Sequence, residues 1–467
     1  MRFCRDKKVP VYITGKEELT TEDISKLLFE SETFDRKYQK NEDYYHNKHK
    51  ILDRTYEDDS KPNSKVCVGY PNYICQIRNG YFSSSPLSLD SENKDYLEEV
   101  SKVLEENDFK KVFSELDNIS SIYGHAFLCM YLDEEGIIRL VPQSPKDWIY
   151  VRSNDLLQTP KFAIRYYRYW DDVLNQACYD IELYTKDEVV NYEGTATSLE
   201  EVGRRPHYFG ALPVIEFSEN KTRQGAFENV IDLIDGYESV LNDNINSISY
   251  FSDCYLVIEN AECDEEDIEA MKRNRVIVLP ENSHASFLMK NINETFVKNA
   301  LQDIREAIFV VACCPLLSDS SFSSNSSGVS ISYKLFSMEK SIQNKENIFR
   351  KSFNDMFAMI RTILNLKGAK FTTEDRILMT YTRSNPVKDL TSIADAVSKL
   401  RGTVSNASLL SQLDFVGDVQ LEKQRLLEEK QEEMDFQLKY MDILGQDLNH
   451  DIEEPQDDED NNNYKGE

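Results

Sequence analysis

The side chains that could do chemistry are two adjacent cysteines, a run of serines that follows them, and a pair of histidines. Cys313 and Cys314 could supply a reactive thiol, and a serine within residues 318–330 could supply a nucleophilic hydroxyl. A serine nucleophile needs a base beside it, and no histidine lies near these serines in the sequence. The surroundings of the two cysteines are apolar, which favours core packing. We therefore expect no catalysis from this segment.

The two histidines lie three residues apart. His46 and His49 could share a metal ion if both lay on one helical face. The sequence places no cysteine or carboxylate ligand with them, and a structural zinc site needs four ligands. We expect no metal there.

Several familiar catalytic motifs are missing from the sequence. It contains no Gly-rich loop ending in a lysine, so a motor ATPase is excluded. It also lacks a Gly-x-Ser-x-Gly elbow, a His-Glu-x-x-His helix and a Cys-x-x-Cys pair. The sequence predicts no cofactor.

The serines lie between two predicted helices. Phe296, Ile304 and Ile308 mark the apolar stripe of a first helix, which we expect Pro315 to end because proline lacks a backbone donor. Serine and asparagine compete for their own backbone, so residues 318–327 should form a loop. From Val329 the helical period resumes and runs to Gly368, a residue typical of helix ends.

Composition bounds the class of protein. The 467 residues carry a formal charge of −29, and residues 447–467 hold nine Asp or Glu against one Lys. We expect this acidic tail to be disordered. A chain so acidic does not hold DNA phosphates tightly, since that requires clustered lysine and arginine.

Nine irregularly spaced cysteines without a secretory leader predict reduced thiols, and no segment is apolar enough to cross a membrane.

The periodicity along the chain predicts an α+β protein. A helix should begin at Thr20, a helix pair should fill 97–122, and a hairpin should join 127–132 to 137–142. Further strands are predicted at 162–169, 178–185, 189–192 and 377–381. A helix is predicted from 227 to 251, before a small insert of two strands, 254–258 and 275–280, around one helix. Helices should return over 389–444.

Several phrases of this sequence resemble one known family. Tyr44-Tyr45-His46, Leu212-Pro213-Val214-Ile215 and, around the serine loop, Pro315, Asp319, Phe322, Ser327-Gly328-Val329 and Tyr333-Lys334-Leu335 are similar to motifs of portal proteins from long-tailed bacteriophages of Gram-positive bacteria. The similarity extends in the same order over about residues 38–430. One departure is Ser85, which stands where that family usually has glycine before Pro86.

The resemblance implies a portal fold with named parts. These are a helix and antiparallel-sheet wing (1–224), two stem helices (225–253 and 294–314) around a small α/β clip (254–293), a tunnel loop (315–332), a long kinked helix with the wing return (333–388), a helical crown (389–446) and the acidic tail (447–467).

The resemblance also implies site residues. The tunnel loop would face DNA through Ser318, Asp319, Ser320, Phe322, Ser324, Asn325 and Ser327. Lys334, Lys340 and Lys345 would be basic residues of the channel. Tyr255, Val257, Arg275, Val276 and Val278 would make the clip contacts.

The function implied is that of a virion protein without catalysis. A ring of about twelve subunits would stand at one capsid vertex and pass double-stranded DNA during packaging and ejection. Its partners would be the terminase large subunit, the head-completion or connector proteins, and the major capsid and scaffold proteins, with assembly in the host cytoplasm. Two alternatives remain from the residues alone, a cytoplasmic hydrolase using Cys313 or the serines, and a helical structural or scaffold protein.

Overall fold

The computed structural model describes most of the chain. The described residues are 2–3, 11–58, 61–85, 87–172, 175–251, 255–260, 264–274, 282–288, 294–317, 328–381, 395, 397–410, 419, 422–434 and 436. The chain divides into two compact units, Met1–Val387 and Lys388–Glu467. This division lies beside the boundary predicted between the wing return and the crown.

The helices and strands follow the order of the sequence. The helices are α1 (Thr21–Tyr45), α2 (Tyr70–Phe82), α3 (Lys94–Glu106), α4 (Phe109–Tyr123), α5 (Ile231–Phe251), α6 (Glu265–Asn274), α7 (Glu294–Val311), α8 (Gly328–Leu366) and α9 (Asn406–Leu410). The strands are β1 (Arg2–Phe3), β2 (Tyr12–Thr14), β3 (Leu87–Asp90), β4 (His125–Leu132), β5 (Ile138–Gln143), β6 (Trp148–Ser153), β7 (Pro160–Asp171), β8 (Gln176–Tyr184), β9 (Glu188–Thr195), β10 (Ser198–Pro206), β11 (Val214–Ser218), β12 (Tyr255–Glu259), β13 (His284–Leu288) and β14 (Leu378–Tyr381).

Helix α1 begins where the sequence predicts. The Thr20 hydroxyl accepts from the Asp23 backbone N–H, and the Asp23 carboxylate accepts from the backbone N–H of Thr20 at 3.1 Å. This reciprocal cap satisfies two donors that a helix start leaves open.

The first unit contains two larger sheets. Seven strands lie in the order β1-β2-β6-β7-β8-β9-β10, antiparallel except for the parallel pair β2 and β6. Three strands form the order β11-β4-β5, and the predicted hairpin of β4 and β5 is confirmed. Strands β7, β8 and β9 confirm the other strand predictions of this half. The mixture of helices and largely antiparallel sheets confirms the α+β class.

Aromatic and aliphatic side chains from α8 organise the largest core. Phe349 and Phe353 are fully buried, and both pack edge-on against Phe217 of β11. Helices α2, α3 and α4 contribute Phe82, Tyr96 and Phe113 to the same cluster. A second core lies between α1 and the seven-stranded sheet. A third joins α1, α2 and α4 to α5 and α7.

Helices α5 and α7 bracket the predicted insert. Ile231 and Ile234 near the start of α5 pack in one cluster with Ile308 and Phe309 near the end of α7, so the two helices run antiparallel. In the described residues of the insert α6 lies between two strands, and β12, at the first predicted strand, pairs antiparallel with β13. Its described return strand is His284–Leu288, later than the predicted 275–280, which lies outside the described residues.

Helix α8 is continuous over 39 residues. It ends at the predicted cap, where Gly368 has a left-handed φ of 109° and the Ala369 N–H donates to the Leu364 carbonyl. The predicted strand that follows is confirmed as β14, paired with β3. The kink in this helix stays a prediction.

The described residues of the second unit are mostly helical, with α9 and helical residues at 397–400 and 422–434, and residues 401–405 form a turn closed by a bridge between Arg401 and Val404. Residues 437–467, and with them the acidic tail, lie outside the described residues. Among the described helices, none is both long enough and apolar enough to cross a bilayer.

Candidate functional site

The tunnel loop was predicted over 315–332, but residues 328–332 already belong to α8, so the segment between the helices is shorter than predicted. Ser318, Asp319, Ser320, Phe322, Ser324, Asn325 and Ser327 all lie outside the described residues. The description resumes at Gly328, the first residue of α8. The site is therefore built from the residues that hold the end of α7 and from those that join it to α8.

The end of α7 differs from the prediction. The helix ends at Val311, and Cys313 takes a left-handed φ of 49°. The Cys314 N–H then donates to the Phe309 carbonyl at 3.0 Å, which closes the last helical turn. Pro315 thus follows a helix that has already ended.

Cys314 belongs to the core, as predicted. It is buried, and burial raises the pKa of its thiol to about 12. A thiol protonated at neutral pH is a poor nucleophile. Cys314 is therefore not the reactive thiol of an enzyme.

Tyr73 of α2 holds the chain where it leaves the α7 end. Its hydroxyl accepts from the Leu317 N–H at 2.9 Å and donates to the Pro315 carbonyl at 3.4 Å. The ring packs edge-on against Phe309, with 5.6 Å between centroids. The first residues of the loop are therefore tied to α2 and α7 together.

Arg78, one turn further along α2, reaches both sides of the loop. Its guanidinium donates to the Ala312 carbonyl at 3.3 Å, beside the end of α7, and to the Ser341 hydroxyl of α8 at 3.1 Å. It also forms an ion pair of 2.8 Å with Glu219, just after β11. Arg78 and Glu219 are both buried. One cation thus links the helix before the loop to the helix after it.

Lys345 corrects a sequence prediction. It was expected among the basic residues of the channel, but its side chain is 1% exposed and forms ion pairs with Asp117 of α4 and with Glu219. The ammonium also donates to the Ser121 hydroxyl at 3.1 Å and lies 5.3 Å from the centroid of the Phe349 ring. A buried lysine engaged in this way cannot contact DNA.

The four charged side chains of this site, Arg78, Lys345, Asp117 and Glu219, form what we call the anchor network. Burial raises the pKa of Asp117 above its usual range despite the neighbouring ammonium. Burial also opposes ionisation of Glu219, but Lys345 and Arg78 outweigh it and lower that pKa. Burial would lower the pKa of Lys345, yet Asp117 and Glu219 raise it. Two cations face two carboxylates, so the buried charges balance.

Sequence reasoning missed this network, although part of a signal was present. Lys345 stands three residues after Ile342 and four before Phe349, which places it on the apolar stripe of α8. A lysine on a buried stripe requires a carboxylate partner. Nothing in the sequence indicates which of the many carboxylates that partner is.

The other predicted basic and clip residues are only partly described. Lys340 is exposed, donates to Gln343 at 2.9 Å and lies 5.5 Å from the Phe336 ring centroid. The side chain of Lys334 lies outside the described part. In the insert, Tyr255 pairs with Leu288 and Val257 with Ser286. Arg275, Val276 and Val278 are outside the described residues.

The predicted histidine pair is not brought together. His46 is exposed at the end of α1, whereas His49 is buried and faces Glu238 of α5. They do not share a face because α1 ends at Tyr45, before either histidine.

The contacts of the anchor network tie helices of the chain to one another. The described charges of the anchor network are paired with one another and hold a segment between helices, which is a positioning task. Comparison with known proteins then identifies the family. The profile of the family described as "Phage portal protein, SPP1 Gp6-like" matches residues 25–435, and the chain belongs to that family. It is a phage portal protein, a structural component of the virion capsid.

Two individual portal proteins are similar to the chain in sequence. The chain is 24% identical over 415 residues to the portal protein of Bacillus phage SPP1, covering 85% of this chain and 82% of that protein. It is 25% identical over 418 residues to the portal protein of Clostridium phage phiCD119, covering 83% and 91%. A solved structure entitled "Virion of native gene transfer agent (GTA) particle" aligns with a TM-score of 0.41 and 12% identity, over 73% of this chain and 87% of that one.

Proposed function

We propose that copies of this chain close into a ring of about twelve subunits at one capsid vertex and that DNA passes through the ring during packaging and ejection. In this proposal α5 and α7 form the stem, the insert between them forms the clip, and residues 318–327 line the channel. The packaging motor and then the connector proteins would dock on the ring, which would assemble in the host cytoplasm with the capsid and scaffold proteins.

The observation that carries the proposal is a set of exposed apolar side chains on the helices around the insert and the loop. Ile248 of α5 is 60% exposed, Val310 of α7 67%, and Tyr333 of α8 77%. Apolar side chains left in water on long helices favour association with another copy, because burial in an interface removes them from water. In a closed ring every subunit contacts two neighbours, so these side chains are buried and no subunit is left with an uncovered interface.

The negative charge of the chain supports a channel that binds DNA only weakly. A net charge of −29 repels phosphates, and Lys345 is unavailable to them because it is paired internally. Among the predicted channel lysines, Lys340 is the one whose side chain is described as exposed. We expect weak binding of duplex DNA at physiological salt, with a shallow salt dependence.

Native mass spectrometry and electron microscopy of the purified chain test the ring. Val310→Asp should reduce assembly without unfolding the subunit. The matched control is Leu157→Asp, at an apolar residue that is 81% exposed between β6 and β7, and it should leave assembly intact. A wild-type chain that stays monomeric at micromolar concentration would overturn the proposal.

The channel role is tested by deleting residues 320–326. Since the anchor network joins the end of α7 to α8 from outside the loop, the deletion should leave ring assembly intact. Packaging or retention of DNA should be impaired. Full packaging by the deletion variant would show that the loop is only a connector, and tight DNA binding with a steep salt dependence would contradict the weak-binding channel.

A further inference from the structure

A second buried polar cluster lies where the chain between α1 and α2 meets α5. His49 is buried and its ring stacks on that of Tyr44, with 4.6 Å between centroids. The Nε2–H donates to the Tyr44 carbonyl at 2.9 Å. The other ring nitrogen, Nδ1, lies 2.5 Å from the Glu238 carboxylate. A carboxylate oxygen this close requires a proton on Nδ1, and a metal ion would displace that proton while moving the two atoms apart.

A proton would satisfy the imidazole but not the rest of the cluster. Glu238 is fully buried, and while its Oε1 also accepts from the Val68 N–H at 2.8 Å, its Oε2 has no hydrogen-bond partner within the described part of the chain. The half-buried Cys67 thiol lies beside it. One ligand atom each from His49, Cys67 and Glu238 all lie within 4.8 Å of one another. A buried carboxylate oxygen without a partner is typical of a missing water or ion.

We propose that His49, Cys67 and Glu238 bind a zinc ion. Imidazole nitrogen, thiolate sulfur and carboxylate oxygen are the three protein ligand types that zinc takes, at about 2.0–2.3 Å. The hydrogen bond from Nε2 to the Tyr44 carbonyl is the outer contact that usually fixes the tautomer of a metal-binding histidine. Three protein ligands leave a fourth tetrahedral position to water, which the half-exposed side of Cys67 admits.

The ion would join three separate parts of the chain. Glu238, Asn242 and Asn246 recur every four residues on one face of α5. Asn242 exchanges two hydrogen bonds with the Val66 backbone, at 2.7 and 2.9 Å, and Asn246 accepts from the Ser64 N–H at 2.7 Å. This face of α5 thus holds the segment before α2 at every second residue, Ser64, Val66 and Val68. Zinc would add a cross-link at Glu238 that also includes His49.

Metal content and a cobalt spectrum of the purified full chain test the proposal. After loading with Zn²⁺ and desalting, the wild-type chain should retain stoichiometric zinc. With Co²⁺ in its place, the near-ultraviolet spectrum should show charge transfer from thiolate to cobalt. Cys67→Ser should abolish that band, and Glu238→Gln should weaken zinc retention about 10- to 100-fold, with folding checked by circular dichroism.

Cys313→Ser is the matched control, because Cys313 is also half-buried but lies outside the cluster. It should keep both the zinc and the cobalt band. Absence of the band from the wild-type chain, or zinc that persists in Cys67→Ser, would overturn the proposal. The wild-type spectrum decides the matter even if a variant fails to fold.

Discussion

Arg78 and Glu219 form a buried ion pair of 2.8 Å, and each of them also binds a second partner. Arg78 also binds the carbonyl at the end of α7, while Glu219 also binds Lys345 of α8. The two residues therefore act as one bridge between the helices on either side of the loop. Breaking any member should weaken the link between α7 and α8, because the remaining charges would be left buried and unpaired.

Lys345→Met should lower the free energy of unfolding by about 3–5 kcal/mol, since it leaves Asp117 and Glu219 facing each other without their cation. Chemical denaturation measures the change. Lys340→Met, five residues earlier and exposed, should change stability by no more than about 0.5 kcal/mol. Equal effects of the two substitutions would contradict the buried position of Lys345.

Gly124→Ala should destabilise the fold by roughly 2 kcal/mol or more. Gly124 ends α4 with a left-handed φ of 90°, and an added Cβ would lie 2.2 Å from the Arg223 carbonyl oxygen. That clash is with backbone, so no side-chain rotation relieves it. Thermal denaturation measures the loss.

Gly80→Ala is the control for the glycine substitution. Gly80 lies inside α2, and a Cβ there would meet nothing within 4 Å. Alanine should stabilise the helix by roughly 0.5–1 kcal/mol. If Gly80→Ala destabilised the protein, another part of the molecule would have to pack against that surface of α2.

Asp35→Asn should stabilise the protein at pH 7.5 and lose that advantage as the pH falls. Burial raises the pKa of Asp35 from 3.8 to about 6, with Asp147 and Glu32 adding repulsion and Tyr166 opposing it. The folded state therefore binds the proton more tightly than the unfolded state. That contribution to stability is present below pH 3.8 and is lost as the pH rises through about 6.

Melting temperatures of wild type and Asp35→Asn across pH 4.5–8 test the sign. The difference in favour of the variant should shrink below about pH 6. Asp43→Asn is the control. The Asp43 carboxylate lies on the same helix and accepts an exposed hydrogen bond from Gln39. A difference for Asp35→Asn that is constant with pH would show that its carboxyl is not protonated in the folded state.

The sequence predicted elements whose signals are local. The Thr20 and Asp23 cap, the hairpin of β4 and β5, and the glycine at the end of α8 each depend on a few neighbouring residues. Strand β10 was missed because Ser198–Pro206 is rich in charge, and its pairing with β9 comes from the sheet rather than from its own side chains.

The candidate site was less predictable because its contacts join distant parts of the chain. Lys345 and Asp117 are 228 positions apart, and His49 and Glu238 are 189 apart. Helical spacing shows that Lys345 lies on an apolar stripe, but tertiary packing chooses its partners. For the same reason His46, a neighbour of His49 in sequence, is not its partner in space.

Helix α8 has a mechanical consequence. Its 39 residues span about 58 Å, without an internal proline or glycine after the first residue. One end begins at the loop, and the aromatic cluster around Phe349 and Phe353 clamps the half of the helix farther from the loop. A push on the loop end would therefore be carried along the helix into the largest core, and the phenylalanine cluster, rather than the loop, would resist it.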